Sequence, residues 1–314
     1  LALDARFVLE IERQRMHNGN HDVIVVGAGF AGLACAHEIA KAGRRVCVID
    51  RKRDLGERLH TTGILVEEAL ANPLFTDLPA GIHHSVSSVK LYAPGLESIE
   101  LTAPGYRFHT TDTPALMRWL GEQAVTAGVD MRLGCAFREA QATAHGWHLP
   151  GVGQCRYLVG ADGARSRVAA YFELGRVRDF LHGVEYEYDG AGLRRPDALH
   201  CFISRRWAPG YIGWIAQTPR GVQAGLAQRL RHGAPPPDVA AFLAHVAPLV
   251  GLSIVRKPDS IRAGLIPCGG PVRPRVGRHV LLAGDAAGVV SPVTAGGIHS
   301  GLRHGAEVGR ALVQ

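Results

Sequence analysis

Short apolar runs recur along the chain, and the polar residues between them set the length of each predicted element. Residues 23–26 are four consecutive apolar β-formers, residues 31–41 have the three-to-four-residue spacing of a helix, and residues 46–49 form a second apolar run. Two strands joined by one helix in this order predict a parallel β-α-β unit with a right-handed crossover.

Further along the chain, the pattern alternates between two kinds of sheet. Residues 86–92 and 98–102 are predicted as a hairpin, and residues 180–230 contain short strand-like runs separated by Gly, Pro and Arg, which is typical of an antiparallel sheet. The other predicted elements are helices over 114–127, 166–172, 238–250 and 295–313, and strands over 129–134, 156–160 and 278–282.

These elements predict an α/β fold class, with a Rossmann-type dinucleotide-binding domain around a central parallel sheet, interleaved with a smaller antiparallel-sheet substrate domain. The order of the elements makes both domains discontinuous. The dinucleotide-binding domain is predicted over 21–75, 106–178 and 262–314, the substrate domain over 76–105 and 179–261, and a tag or upstream extension over 1–20.

Composition narrows the classes of protein. The chain is 46% hydrophobic, and no apolar run reaches the roughly 18 to 20 residues of a membrane span. The net charge of +7 comes almost entirely from arginine and is interpreted mainly as solvated surface. No dense basic block is present, so a nucleic-acid partner is not expected. A cytoplasmic protein is predicted, with peripheral contact to the inner face of the membrane as a further expectation.

The cysteine and histidine patterns do not indicate a structural metal or a disulfide framework. None of the six cysteines forms a C-x-x-C pair, and Cys35 and Cys47 lie inside apolar stretches. They are interpreted as reduced core residues. The sixteen histidines show no H-E-x-x-H spacing, so no metal site is predicted.

The first strand runs directly into a glycine motif that indicates a phosphate site. Gly27, Gly29 and Gly32 stand in G-x-G-x-x-G register, and Asp50 closes the second strand. The first glycine permits the tight turn, the second lets backbone approach a pyrophosphate, and the third lets the helix pack on the strand. The helix then presents free N–H groups to the phosphate, and Asp50 can accept both ribose hydroxyls of an adenosine.

Two later motifs carry a family resemblance. GADGARS at 160–166 and GDAAG at 284–288 each follow a predicted strand, and SPVTAGGI at 291–298 leads into the last helix. In these motifs the chain resembles FAD-dependent oxidoreductases with the glutathione-reductase-type dinucleotide fold. The resemblance implies that Asp285 contacts the flavin ribityl chain and that Gly296-Gly297 approaches the pyrimidine side of the ring. FAD is therefore the predicted cofactor.

Within that family the chain is similar to the geranylgeranyl reductases, which saturate isoprenoid double bonds. Gly288 stands where aromatic hydroxylases usually have a histidine, and APGYIGWIAQTP at 208–219 looks like the P-x-x-Y-x-W segment that lines the reductases' substrate cavity. The loop GERLHTTGIL at 56–65 falls at the flavin-contacting position but lacks the cysteine that this family often has there.

The candidate site residues follow from these motifs. The predicted cofactor-binding residues are Gly27, Gly29, Ala31, Gly32, Asp50, Arg51, His60, Thr61, Gly63, Ala136, Asp162, Gly284, Asp285, Gly296, Gly297 and Ile298. Tyr211, Trp214 and His299 are weak candidates for the substrate side, and no catalytic residue is assigned.

Three functions are compatible with this reading. The leading one is an FAD-dependent reductase of C=C bonds in an apolar, isoprenoid-type small molecule, with Tyr211, His299 or bound water as the proton donor. The second is an FAD-dependent monooxygenase that uses NAD(P)H and oxygen, in which a halogenase is less favoured because the W-x-W-x-I-P signature is missing. The third is a flavoprotein without turnover. No second G-x-G-x-x-G is present, so NAD(P)H would bind transiently or another external reductant would supply the electrons. The oligomeric state is not predicted.

Overall fold

A computed structural model describes residues 19–253, 256–291 and 296–314 of the chain. Nearly all of the predicted extension over 1–20, and the first residue of the predicted terminal helix, lie outside the described residues. The described strands are β1 (Asn20–Val26), β2 (Val46–Asp50), β3 (Leu65–Val66), β4 (His83–Val86), β5 (Ser88–Tyr92), β6 (Ser98–Thr102), β7 (Phe108–Thr111), β8 (Asp130–Leu133), β9 (Gln141–Thr143), β10 (Gly146–Leu149), β11 (Gly153–Gly160), β12 (Phe180–Asp189), β13 (Ala198–Ile203), β14 (Ile212–Gln217), β15 (Gly221–Arg229), β16 (Ser260–Pro267), β17 (Val276–Gly277) and β18 (Val280–Leu282). The described α-helices are α1 (Phe30–Lys41), α2 (Glu67–Leu70), α3 (Thr113–Thr126), α4 (Arg167–Tyr171), α5 (Val239–Val250) and α6 (Gly297–Val313), and short 3₁₀ turns cover Pro73–Phe75, Ala80–Ile82 and Gly284–Ala287.

The first sheet has the order β17-β18-β11-β1-β2-β8, extended by β10 and β9. Strands β18, β11, β1, β2 and β8 are parallel to their neighbours in this order. Side chains of β1 alternate between two apolar layers: Val23 and Val25 pack with the layer that includes Leu33 of α1, whereas Ile24 packs with the layer that includes Val168 of α4. Both faces of the sheet are therefore buried, as is usual for a parallel sheet.

Helix α6 lies directly against α1 because one of its faces is made of glycines. Gly297, Gly301, Gly305 and Gly309 recur every four residues and so share a helix face. A methyl group added at Gly305 would lie only 2.1 Å from the backbone oxygen of Ala31, and one added at Gly309 would lie 2.6 Å from that of Cys35. The missing side chains let the two helix backbones approach closely.

The second sheet has the order β16-β12-β15-β14-β13-β5-β6. All of its pairs are antiparallel except β13 with β5. Helix α5 covers one face, with the fully buried Phe242 at its centre. A third sheet, β3-β7-β4, lies beside the other face, and the hydroxyl of Thr110 in β7 donates to the backbone oxygen of Gln217 at the end of β14.

The predicted helices and strands are confirmed to within a few residues. Asp112 and Asp238 cap α3 and α5, since their carboxylates accept backbone N–H groups of Ala115 and Ala241. The parallel pairing of β13 with β5 differs from the purely antiparallel sheet that was expected. It arises because the early hairpin adds to the edge of the later sheet. The predicted domain boundary at 261/262 falls inside β16.

None of the described helices combines the length and the apolar character needed to cross a membrane. All six cysteines are free; Cys35, Cys47, Cys155 and Cys201 are buried, and Cys135 and Cys268 are half-buried.

Candidate functional site

The turn after β1 is shaped by three glycines with different surroundings. Gly27 has a φ of +106°, and a methyl group added there would lie 2.4 Å from the backbone oxygen of Ala161. One added at Gly32 would lie 1.9 Å from the backbone oxygen of Gly27. At Gly29, by contrast, an added methyl group would meet nothing within 4 Å. The first and third glycines therefore close the turn, and the second borders open space.

The start of α1 offers unpaired backbone donors to that open space. Its N-cap residue is Gly29, which has no side chain to accept them, and its first turn contains no acidic residue. The first N–H groups of a helix need an acceptor from outside the helix, and a phosphate group fits this position in both charge and geometry. The residues present therefore suit the pyrophosphate of FAD.

Asp50 lies at the end of β2, beside the glycine turn. Its Oδ2 accepts the backbone N–H of Ala28 at 2.8 Å, and its Oδ1 accepts that of Lys52 at 2.8 Å. Arg51 follows it and is exposed, and Ala136 comes one residue after Cys135, whose N–H donates to the Asp50 backbone oxygen. Asp50, Arg51 and Ala136 thus lie together at the carboxyl ends of β2 and β8. The ribose contact of Asp50 stays a prediction.

A second turn, after β18, packs against the same end of α1. A methyl group added at Gly284 would lie 2.5 Å from the Cβ of Ala31, so only glycine fits at this position. The Gly284 N–H donates to Nδ1 of His304 in α6 at 3.2 Å, which ties this turn to the last helix. His304 was not singled out from the sequence, because no motif marks it.

Asp285 follows in this turn. Although the residue keeps some exposure, the surrounding protein desolvates its carboxyl group and raises its pKa to about 6. A methyl group added at Gly297 would lie 3.4 Å from Oδ1 of Asp285. Gly296 is the N-cap of α6 and, like Gly29, provides no side-chain acceptor. Ile298, in the first turn of α6, is buried. The structure therefore brings Asp285 together with the uncapped start of α6.

The loop over 60–63 lies between β16 of the second sheet and β7 of the third sheet. Nδ1 of His60 lies 2.7 Å from the backbone oxygen of Ala263 in β16, and the hydroxyl of Thr111 donates to the backbone oxygen of Gly63 at 2.9 Å. Gly63 has a φ of +67°, and an added methyl group would lie 2.1 Å from Oγ1 of Thr113. Contacts to β16 on one side, and to β7 and the start of α3 on the other, hold this loop in place.

Asp162 accepts several hydrogen bonds at the start of α4, and its contact with the cofactor stays a prediction. Its Oδ1 accepts the hydroxyl of Ser166 at 2.5 Å, and its Oδ2 accepts the N–H groups of Arg167 at 2.6 Å and Val168 at 3.2 Å. Burial raises the pKa of this carboxyl, against the opposing effect of these hydrogen bonds. The side chain stabilises the start of α4.

The three substrate-side candidates lie in two places. Tyr211 immediately precedes β14 and Trp214 lies within it, whereas His299 lies in the first turn of α6. The ring of Trp214 lies over Gly225, where an added methyl group would approach a ring carbon to 2.3 Å. Burial raises the pKa of the Tyr211 hydroxyl, which keeps it protonated.

Trp214 also leads to a buried polar network that the motifs did not reveal. Its Nε1 donates to Oε2 of Glu185 at 2.9 Å. Arg262 approaches Glu185 to 3.6 Å and Glu187 to 2.5 Å, and it donates to the backbone oxygen of Thr61 at 3.3 Å. The network therefore connects the second sheet to the 60–63 loop. One sequence signal was available, since Glu185 and Glu187 are two apart in a strand and so share a face.

Glu185 is held neutral in this network. Burial raises the pKa of its carboxyl to about 8, even though Arg262 and Trp214 favour the charged form. Arg262 is already neutralised by Glu187, its closer partner. Glu185 therefore acts as an uncharged acceptor for the indole of Trp214.

We expect Glu185→Gln to remove part of the pH dependence of stability. Below the ordinary glutamate pKa the Glu185 carboxyl is neutral in the folded and the unfolded chain. As pH rises from there to about 8, only the unfolded chain ionises, so the folded wild type loses stability across this window. The glutamine keeps an acceptor for Trp214 and cannot ionise. Urea unfolding at pH 5.5, 7.0 and 8.5 should show the variant gaining on the wild type as pH rises.

The matched control is Glu187→Gln, which removes the charge partner of Arg262 at 2.5 Å and should destabilise the protein by about 3 kcal/mol or more. Parallel pH profiles for wild type and Glu185→Gln would contradict the neutral state of Glu185.

A cluster of possible metal ligands lies at the amino-terminal ends of β1, β2 and β8, at the opposite end of these strands from the glycine turn. The ligand atoms of His21, Cys47 and Asp130 lie within 4.8 Å of one another. Nη2 of Arg132 donates to Oδ2 of Asp130 at 2.7 Å, and Nε2 of His21 lies 3.1 Å from the same oxygen. Burial raises the pKa of Cys47, so its thiol is protonated. The Asp130 carboxylate is thus already paired with Arg132 and hydrogen-bonded to His21.

Comparison with known families agrees with this geometry. Residues 100–314 match the family model described as FAD binding domain, and residues 22–68 match the one described as FAD dependent oxidoreductase. The first match covers the α4 turn, strands β12 to β16 of the second sheet and the Asp285 turn. The second covers the glycine turn, Asp50 and the 60–63 loop.

Named relatives and a solved structure have the same character. The chain is 27% identical to digeranylgeranylglycerophospholipid reductase 2 of Methanopyrus kandleri, over 93% of this chain and 77% of that protein. It is 26% identical to geranylgeranyl diphosphate reductase of Rhodobacter capsulatus, over 94% and 76%. The crystal structure of a geranylgeranyl bacteriochlorophyll reductase-like protein from Thermoplasma acidophilum has a TM-score of 0.83 at 17% identity, over 94% of this chain and 78% of that one, and so has the same fold. The chain belongs to the FAD binding domain family and is an FAD-dependent oxidoreductase that is similar to the geranylgeranyl reductases.

Proposed function

We propose that this protein reduces C=C bonds of an apolar, isoprenoid-type substrate, with NAD(P)H or another external reductant as the electron source. The named relatives are reductases of geranylgeranyl compounds, which supports this substrate class. The observation that carries the proposal is the cluster of apolar side chains on the face of the second sheet that borders the 60–63 loop. We call it the substrate face; its buried residues are Leu181, Leu199, Cys201, Trp214, Ala216 and Ala227.

The substrate face is apolar and is not fully closed. Tyr211, Ile212 and Ile266 pack on it but keep partial exposure, and Ile64, next to the 60–63 loop, joins the same cluster. Partly exposed apolar side chains beside a cofactor loop suit a hydrocarbon chain, because burying that chain removes both apolar surfaces from water. The ionisable side chains on the same side of the sheet, Glu185 and Arg262, are already paired with Trp214 and Glu187.

The chain's own residues have three tasks in this proposal. The starts of α1 and α6 bind the phosphates and the ring end of the cofactor, as their uncapped N–H groups favour. The substrate face binds the isoprenoid chain and excludes water. The chemistry that FAD would supply when bound and reduced is a hydride for the alkene. Tyr211 holds a proton on its hydroxyl beside this face, because burial raises its pKa.

The decisive experiment is anaerobic turnover of the FAD-loaded protein. Dithionite reduces the flavin, geranylgeraniol or geranylgeranyl diphosphate is added, and the products are extracted for mass spectrometry. We expect masses that increase by two hydrogens for each saturated double bond, and reoxidation of the flavin in step with product.

An air-equilibrated reaction with NADPH serves as the counter-test. Oxygen consumption that increases on adding the isoprenoid, together with an oxygenated product, would assign a monooxygenase instead. An FAD-loaded protein that leaves every tested isoprenoid unchanged, with dithionite and with NADPH, would contradict the reductase.

A further inference from the structure

Four arginines surround one cavity on the first domain. Arg165 and Arg167 lie in the turn before α4 and at its first residue, and Arg176 and Arg178 lie in the segment that leads to β12. The cavity has a volume of about 410 Å³, and all four arginines are exposed. An adjoining cavity of about 570 Å³ shares Arg176 and Arg178 and adds Arg273. We call the two cavities together the arginine groove.

The arginines of the groove are unpaired within the part of the chain that the structure describes. Among the described residues, none of these five arginines forms an ion pair or a side-chain hydrogen bond. Nearby carboxylates have other partners: Asp162 accepts the N–H groups at the start of α4, and Asp179 pairs with Arg229 at 3.1 Å. Glu173 is the acidic residue that lines the groove. A concave surface with five arginines and one glutamate attracts an anion.

The groove is distinct from the phosphate site at the glycine turn. Val168 and Ala169 of α4, below the groove, pack with Ile24 on one face of the first sheet, whereas Leu33 of α1 packs on the other face. Ala286 nevertheless lines the groove, one residue after Asp285. The groove therefore reaches the flavin turn from the face opposite α1.

We propose that the arginine groove binds the diphosphate group of a small molecule that takes part in the reaction. A guanidinium group binds phosphate oxygens through paired N–H donors, so several arginines in one cavity match a group with several phosphate oxygens better than a single carboxylate. Two sources have this chemistry: the pyrophosphate of a pyridine nucleotide, and the head group of an isoprenoid diphosphate. The assignment of either source rests on the proposed function, whereas diphosphate binding itself does not.

Titration calorimetry of the FAD-loaded protein with inorganic pyrophosphate tests the groove directly. We expect binding that weakens as salt rises, and at least a tenfold loss of affinity in Arg176→Gln/Arg178→Gln, since two charge-assisted contacts are removed. The matched control is Arg44→Gln/Arg45→Gln, which makes the same charge change in two exposed arginines just before β2. These arginines lie at the opposite end of the parallel strands from the turn before α4, so this variant should bind pyrophosphate like wild type.

Competition separates the two sources. If NADPH displaces pyrophosphate, and Arg176→Gln/Arg178→Gln slows flavin reduction by NADPH but not by dithionite, the ligand is the nucleotide. If geranylgeranyl diphosphate displaces it and geranylgeraniol does not, the ligand is the substrate head group.

Three results would overturn the proposal: equal pyrophosphate binding by wild type and the Arg176→Gln/Arg178→Gln variant, displacement by neither ligand, or loss of FAD from that variant, which would place the arginines in the cofactor site. Pyrophosphate binding by a protein that reduces no isoprenoid would end the proposed function and leave diphosphate binding standing.

Discussion

Gly29→Asp is expected to abolish FAD binding and to leave the fold intact. The position borders open space, since an added methyl group meets nothing within 4 Å, and its φ of −83° is accessible to any residue. Aspartate is a favourable N-cap, so the helix itself should gain rather than lose stability. The new carboxylate would occupy the N–H groups that a phosphate needs and would repel that phosphate, a juxtaposition that costs several kcal/mol. We expect FAD affinity to fall by at least about 100-fold.

The measurement is the ratio of flavin absorbance to protein absorbance after reconstitution with excess FAD and gel filtration, combined with the thermal midpoint of the apoprotein. Gly81→Asp is the matched control, because Gly81 is also an open glycine without a positive φ, and it lies in a short turn away from α1. A yellow Gly29→Asp protein with wild-type FAD content would show that the phosphates bind elsewhere.

Gly305→Leu is expected to cause the largest loss of stability. An added carbon would lie 2.1 Å from the backbone oxygen of Ala31, and backbone in the middle of two packed helices cannot move aside as a flexible side chain can. We expect the free energy of unfolding to fall by about 3 kcal/mol or more, at the upper end of the range for overpacked cores. Guanidinium unfolding, monitored by circular dichroism, measures the change.

Gly301→Ala separates close packing from the general effect of adding a side chain to this helix. An added methyl group at Gly301 would lie 3.7 Å from the Cβ of Ala31, an ordinary contact distance. Alanine also favours a helix over glycine by up to about 1 kcal/mol, so this variant should equal or exceed wild type. If Gly305→Leu were as stable as Gly301→Ala, the two helices would not be in the close contact described.

Local features of the chain were predictable because their physics is local. Gly27, Gly29 and Gly32 follow four apolar β-formers, and that spacing alone specifies a strand, a tight turn and a helix. The helices predicted over 114–127 and 238–250 begin within two residues of the capping aspartates Asp112 and Asp238. The second sheet was predicted as a set of short strands with turn residues between them.

Features that depend on strand register were not predictable. Arg262 meets Glu185 and Glu187 because β16 pairs with β12 in a register that sets Arg262 opposite Glu185, and no local pattern determines that register. The same limit applies to His304, which bonds to a turn twenty residues earlier in the chain. The arginine groove combines a turn and a connecting segment whose proximity comes from the packing of α4.

The contact between α1 and α6 has a consequence for biosynthesis. The phosphate-binding helix spans residues 30–41, and the helix that packs on it spans residues 297–313. Because translation is directional, about 270 residues after the first helix must be synthesised before the second helix can pack on it. Cofactor loading is thus expected to follow synthesis, and chains terminated before residue 297 should emerge colourless.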